Sequence, residues 1–201
     1  MKLFEITLFL IVLACTKSTF ARKDFAPGYI VNMEGDTILG LVQDRNPGLF
    51  VEIYEKIRFV QEGKRKVKKY SASDIAAYGC GGVDFRSVRL RNESVLLKTF
   101  YYSDNNSPSV FLKVISSNED LVLYAQEFAY DDSEFVDSFP LFHISGSNQM
   151  VRATQGFLGL KKKRLVEYFS KCKTLVDAIE KETVTTSAEV FDLYMKECTR
   201  D

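Results

Sequence analysis

From residue 28 to residue 154 the chain is written in short runs of alternating apolar and polar residues. Turn residues fall between them roughly every 8–14 positions, the rhythm of successive antiparallel strands. The runs 28–33 and 37–42 flank Glu34-Gly35-Asp36, a glycine-bearing hairpin loop. A second hairpin joins 51–60 to 66–70 through Gln61-Glu62-Gly63-Lys64-Arg65. In its first arm Ile53, Ile57 and Phe59 alternate with Glu52, Lys56 and Arg58, so one side is apolar and the other wet. Ser71-Ala72-Ser73-Asp74 reads as a cap on a helical turn formed by Ile75-Ala76-Ala77-Tyr78. Strands are expected next at 83–90, 95–102, 110–116 and 121–130, with weaker ones at 141–145 and 149–154. The class predicted is α+β: an antiparallel β meander, closed as a barrel or folded as a sandwich, followed by a C-terminal helical appendage.

The period changes near residue 156. Leu158, Leu165, Phe169, Cys172, Val176 and Ile179 recur at helical spacing and share one face. Thr174-x-x-Asp177 resembles a capping box that interrupts this run. Thr186-x-x-Glu189 resembles another, opening a last helix whose Val190, Tyr194 and Cys198 align. If 174–182 and 187–199 lie antiparallel, Cys172 and Cys198 meet at the same end. A disulfide there closes a loop of roughly 26 residues, worth about 3 kcal/mol in the chain-entropy model. The alternative is a pair of free thiols buried on apolar faces.

The first 21 residues stand apart from this pattern. Lys2 precedes an apolar run from Ile6 to Ala14, and Thr19-Phe20-Ala21 places small residues before a cut between Ala21 and Arg22. That is the layout of a cleavable secretory signal, too short for a membrane span, which needs roughly 20 apolar residues. Val12-Leu13-Ala14-Cys15 also resembles a lipobox, and lipidation of Cys15 is the competing outcome. The organisation expected is therefore a signal over 1–21, an antiparallel β-domain over 22–155 and helices over 156–201. The protein is expected to be exported to the periplasm, the outer-membrane surface or the medium, touching a membrane only through a lipid anchor at Cys15. Three cysteines follow Ala21, and an oxidising compartment favours one bridge among them.

Composition narrows the chemistry. Lysine and arginine total 27 against 27 acidic residues, so nucleic acid, which needs clustered positive charge, is not an expected partner. With 46% apolar residues the chain has ample material for a core, which excludes a disordered chain. His143 is the sole histidine, so a catalytic triad or a multi-histidine metal site has no second imidazole to use. Between Phe142 and Ile144, at a strand end, it reads as structural. Gly79-Cys80-Gly81-Gly82 either presents a reactive thiol or, more simply, forms a tight turn between strands. Asp131, Asp132, Glu134 and Asp137 offer hard oxygen ligands for calcium but lack loop spacing, and read as a solvated loop. Neither a cofactor nor a metal is implied. Two basic runs, Lys64-Arg65-Lys66-Val67-Lys68-Lys69 and Lys161-Lys162-Lys163-Arg164, have two readings: solvated surface, or contact with an anionic membrane or glycan.

Several short strings carry a resemblance. They are Gly28-Tyr29-Ile30 with Gly35-Asp36-Thr37-Ile38-Leu39-Gly40, Lys56-Ile57-Arg58-Phe59, Tyr70-Ser71-Ala72-Ser73-Asp74-Ile75, and Tyr168-Phe169-Ser170-Lys171-Cys172 with a late Cys198. In this layout the chain resembles a loose group of secreted β-rich proteins of the Bacteroidota. That group often has proline after the first of these two cysteines, where this chain has Lys173. The resemblance implies an envelope location and brings no activity with it. The function expected is non-enzymatic: a secreted or envelope-associated binding or structural protein whose partner is an envelope protein or a glycan. Two alternatives stand beside it, a calycin-like barrel around a small apolar ligand and a carboxylate-dependent hydrolase. A filled, hollow or cleft interior separates the three.

Overall fold

The computed structural model describes residues 24–45, 56–96, 98–129, 136–156 and 159–198. Among these, twelve strands form one antiparallel sheet: β1 (Ala26–Val31), β2 (Thr37–Gln43), β3 (Lys56–Gln61), β4 (Lys68–Ser71), β5 (Ala77–Cys80), β6 (Val83–Arg89), β7 (Arg91–Val95), β8 (Lys98–Tyr102), β9 (Ser109–Ser117), β10 (Leu121–Ala129), β11 (Val136–Ile144) and β12 (Gln149–Arg152). Their order across the sheet is β4-β3-β2-β1-β5-β6-β9-β10-β11-β12-β8-β7. Three helices follow, α1 (Lys162–Tyr168), α2 (Lys173–Glu180) and α3 (Ser187–Glu197). None of the described helices is long and apolar enough to cross a membrane.

Alternation explains the layers. On the front face Ile30, Val42, Ile57, Phe59, Tyr78, Phe85 and Phe111 form one buried cluster. On the back face Val88, Leu112, Val122, Tyr124, Leu141, Met150 and Tyr101 form another. Along β10 the two sides separate residue by residue: Val122 and Tyr124 enter the back cluster, while Leu121 and Leu123 meet the helices in front. Helix residues Leu165, Phe169, Leu175, Ile179, Val190 and Phe191 complete that third cluster. Twelve such strands cannot stay flat, because twist accumulates across a sheet. At one end Asp44 and Arg45, directly after β2, reach across the front face to residues of β5, β9 and β10. At the other, β6 runs through Leu90 straight into β7, although the two lie at distant positions in the order. The segment from β6 to β8 therefore curls onto its back face until its ends meet at Leu90. The sheet is open, neither a closed barrel nor a two-sheet sandwich, and each curl encloses a cluster of buried side chains.

Particular expectations change here. Residues 75–78 are not a helical turn: Ala77 and Tyr78 begin β5, and Asp74 instead accepts from the Ser71 N–H and hydroxyl to close a turn. Pairing with β1 supplies more than a single helical turn, which has no neighbours to propagate it. The strand expected at 95–102 divides: Val95 ends β7, the exposed first arm of a hairpin, and Lys98–Tyr102 is its second arm, β8. Helix α2 starts one residue after Cys172, with no side-chain cap, so the Thr174 box is not used. The Thr186 box is formed in full, with the Thr186 hydroxyl and the Glu189 carboxylate each accepting a backbone N–H. Cys172 and Cys198 are bonded to one another, their Cα atoms 5.7 Å apart. The bridge fits an oxidising, exported compartment.

Candidate functional site

Two polar constellations stand out among the described residues. The first is built on Arg45, two residues past β2. Its guanidinium is 6% exposed and bonds Glu127 at 2.5 Å, the Tyr78 hydroxyl at 3.0 Å and the Phe111 carbonyl at 3.2 Å. Asp44 lies 3.4 Å from its Nε and accepts from the Tyr78 hydroxyl at 2.5 Å. The Phe85 ring lies beneath, 4.8 Å from centroid to guanidinium carbon. Each guanidinium nitrogen is thus satisfied, and burial drives the Tyr78 phenol well above its ordinary range. Arg45 reaches residues of β5, β9 and β10, and four strand spacings on a flat sheet would separate β2 from β9 by about 19 Å. The network therefore clamps the front curl, and both carboxylates are committed to one cation.

Cys80 sits beside this clamp, half-buried, with its thiol 3.5 Å from the Val42 carbonyl. Burial, with Asp44 adding, pushes that thiol up and away from the reactive thiolate form. Gly81 and Gly82, both at positive φ, make the two-residue turn from β5 to β6. Gly79 serves differently: it faces Tyr29 across the ladder, and a Cβ there would lie 2.2 Å from the Tyr29 ring. His143 is half-buried on β11, its Nε2 2.9 Å from the Ser147 carbonyl, and closes the turn that follows. Asp137 is exposed on β11. The other acidic residues of that string, and Cys15, Ala21 and Arg22, lie outside the described residues.

The second constellation is a groove of about 520 Å³ at the end of β8 and β12, where α1 begins. Lys98, Arg152, Lys161, Lys162, Lys163 and Arg164 line it, with Thr99, Gln155 and Phe100, and no carboxylate is among its lining. Position follows from register. Met150 pairs with Tyr101, which sets the β8 and β12 side chains next to each other. The Lys161 N–H bonds the Ala153 carbonyl, which turns the chain back so that the basic run folds over the strand ends. Arg164 stacks on Phe100 at 4.2 Å and Arg152 on Phe139 at 4.2 Å. Arg152 also meets the Tyr101 hydroxyl, while its Nε is buried without a partner. Lys162 is paired with Glu182. Burial, reinforced by Arg152 and Arg164, pushes the Lys161 amine below its ordinary range. Like charges have been drawn together around one opening.

Of the two basic runs, then, only 161–164 is gathered into a site. The run 64–69 lies exposed on a hairpin tip and on the edge strand β4, where lysines suit a sheet edge. Lys98 joins the site from 63 positions before Lys161, and Arg152 from nine before it, at the end of β12. Their signal, isolated basic residues at strand ends, is too common to pick out. Comparison with protein-family models, curated proteins and solved structures finds no match to the chain.

Proposed function

We propose that this is a non-enzymatic, envelope-resident binding protein that holds an anionic group in the groove between β8, β12 and α1. The observation that carries the reading is the convergence of six basic side chains on a groove lined by no carboxylate, with a buried Arg152 Nε left to be satisfied. Repulsion among such neighbours works against folding, and an incoming phosphate, sulfate or carboxylate relieves it. Arg152 and Arg164 are held on aromatic faces and supply planar forks, while the lysines supply point charges. Export follows from the 1–21 segment, by cleavage before Arg22 or lipidation at Cys15, and the bridge suits that compartment. The barrel-ligand and hydrolase readings have less behind them: both curls enclose clusters of buried side chains, and Asp44 and Glu127 share Arg45.

Isothermal titration with inorganic pyrophosphate at low salt tests the proposal. Binding is expected, weakening steeply as salt is raised. The variant Lys98→Ala/Lys163→Ala removes two exposed cations without touching the core and should weaken it by about tenfold or more. No binding by the unaltered protein, or equal binding by the variant, overturns the assignment.

A further inference from the structure

The groove accounts for the cations but not for the leucine beside them. Leu96 stands at the turn of the β7–β8 hairpin, 90% exposed, and Val95 next to it is 54% exposed. The Leu96 φ is +47°, a backbone region that suits glycine or asparagine and that a leucine side chain disfavours. Neither local backbone preference nor packing explains an apolar side chain there. Lys98, paired with Val95 across the hairpin, is already part of the groove lining, and Lys161, Lys163 and Arg164 stand with it. The nearest acid on β7, Glu93, is neutralised by Arg91, which also holds Asp104 at 2.9 Å. An apolar tip thus adjoins a field of cations, a combination suited to a lipid surface, where apolar side chains enter the acyl boundary and cations meet headgroup phosphates.

We propose that the β7–β8 turn and the basic groove together dock the protein on an anionic phospholipid surface. Leu96 and Val95 enter the interfacial layer, and Lys98, Lys161, Lys163 and Arg164 face the lipid phosphates. The inference rests on the groove being an anion site and adds the tip, for which a soluble anion has no use.

Flotation with vesicles of phosphatidylcholine alone, or mixed with phosphatidylglycerol, tests it on the purified protein. Binding is expected only to the mixed vesicles. Leu96→Asn keeps a residue at ease with positive φ and should weaken vesicle binding about tenfold, the scale of one leucine's burial, while pyrophosphate binding stays unchanged. Lys98→Ala/Lys163→Ala should weaken both. Pyrophosphate binding without vesicle binding refutes membrane docking and leaves the anion site standing. Vesicle binding by Leu96→Asn equal to that of the unaltered protein refutes the role of the tip. Failure of both ligands removes both proposals.

Discussion

Reducing the single bridge tests how the helical layer is held. Cys172 precedes α2 and Cys198 follows α3, 26 positions apart in sequence. In the chain-entropy model a loop of that length restricts the unfolded chain by about 3.5 kcal/mol at 25 °C. For a chain of this size each kcal/mol moves the melting point by roughly 2–4 °C, so reduction should lower it by about 7–14 °C. Leu175, Ile179, Val190 and Phe191 remain packed on Leu121, Leu123 and Phe142, so the helices should stay docked below the transition. The assay is urea and thermal unfolding of the oxidised protein, the reduced protein and a Cys172→Ala/Cys198→Ala variant. A Cys80→Ser control separates the third thiol, which takes no part in the bridge. A loss below about 1 kcal/mol, with an unchanged urea slope, would mean that packing already restrains the segment and that the entropic reasoning fails here.

Two further perturbations probe the sheet and its helix contact. Gly79→Ala pushes a methyl into the Tyr29 ring and should destabilise by about 1–3 kcal/mol, a penalty largely absent in a Tyr29→Ala background; equal penalties in both would sink the cross-strand explanation. Burial lifts the Tyr168 phenol to about 12, and its hydroxyl donates to the Gln149 carbonyl and accepts from the Ile144 N–H. Since an unfolded tyrosine ionises near 10, this contribution is full below about pH 10 and is lost as pH rises toward 12. Absorbance titration should show one late phenolate disappear in Tyr168→Phe, and its persistence would contradict the assignment.

Much of the fold could be read from pattern alone because β9 and β10 are apolar runs bounded by turn residues and the helices repeat their own period. Thr186 and Glu189 are legible since a capping box is local, and Cys172 with Cys198 since two short antiparallel helices leave one geometry. β7 was not legible: Arg91-Asn92-Glu93-Ser94 has no buried side to betray it. Residues 75–78 misled because Ser71 and Asp74 make the same bonds in a turn as at a helix start. Arg45 and its partners Tyr78, Phe111 and Glu127, 33 to 82 positions away, meet only once register and curl are known. The groove was half legible, through its basic run, while Lys98 and Arg152 depended on a pairing that no local signal reports.

The direct run of β6 into β7 through Leu90 has a kinetic side. It sends the chain to the far edge of the sheet ahead of the strands that lie between, so the β7–β8 hairpin joins the sheet only through β12. Tyr102 pairs with Gln149, 47 positions further along the chain. Contacts of such long sequence separation close late and slowly. The basic groove spans that last seam. Chains that have folded only in part can carry most of the sheet and still lack the groove, so the anion binding proposed for it would double as a report that assembly is complete.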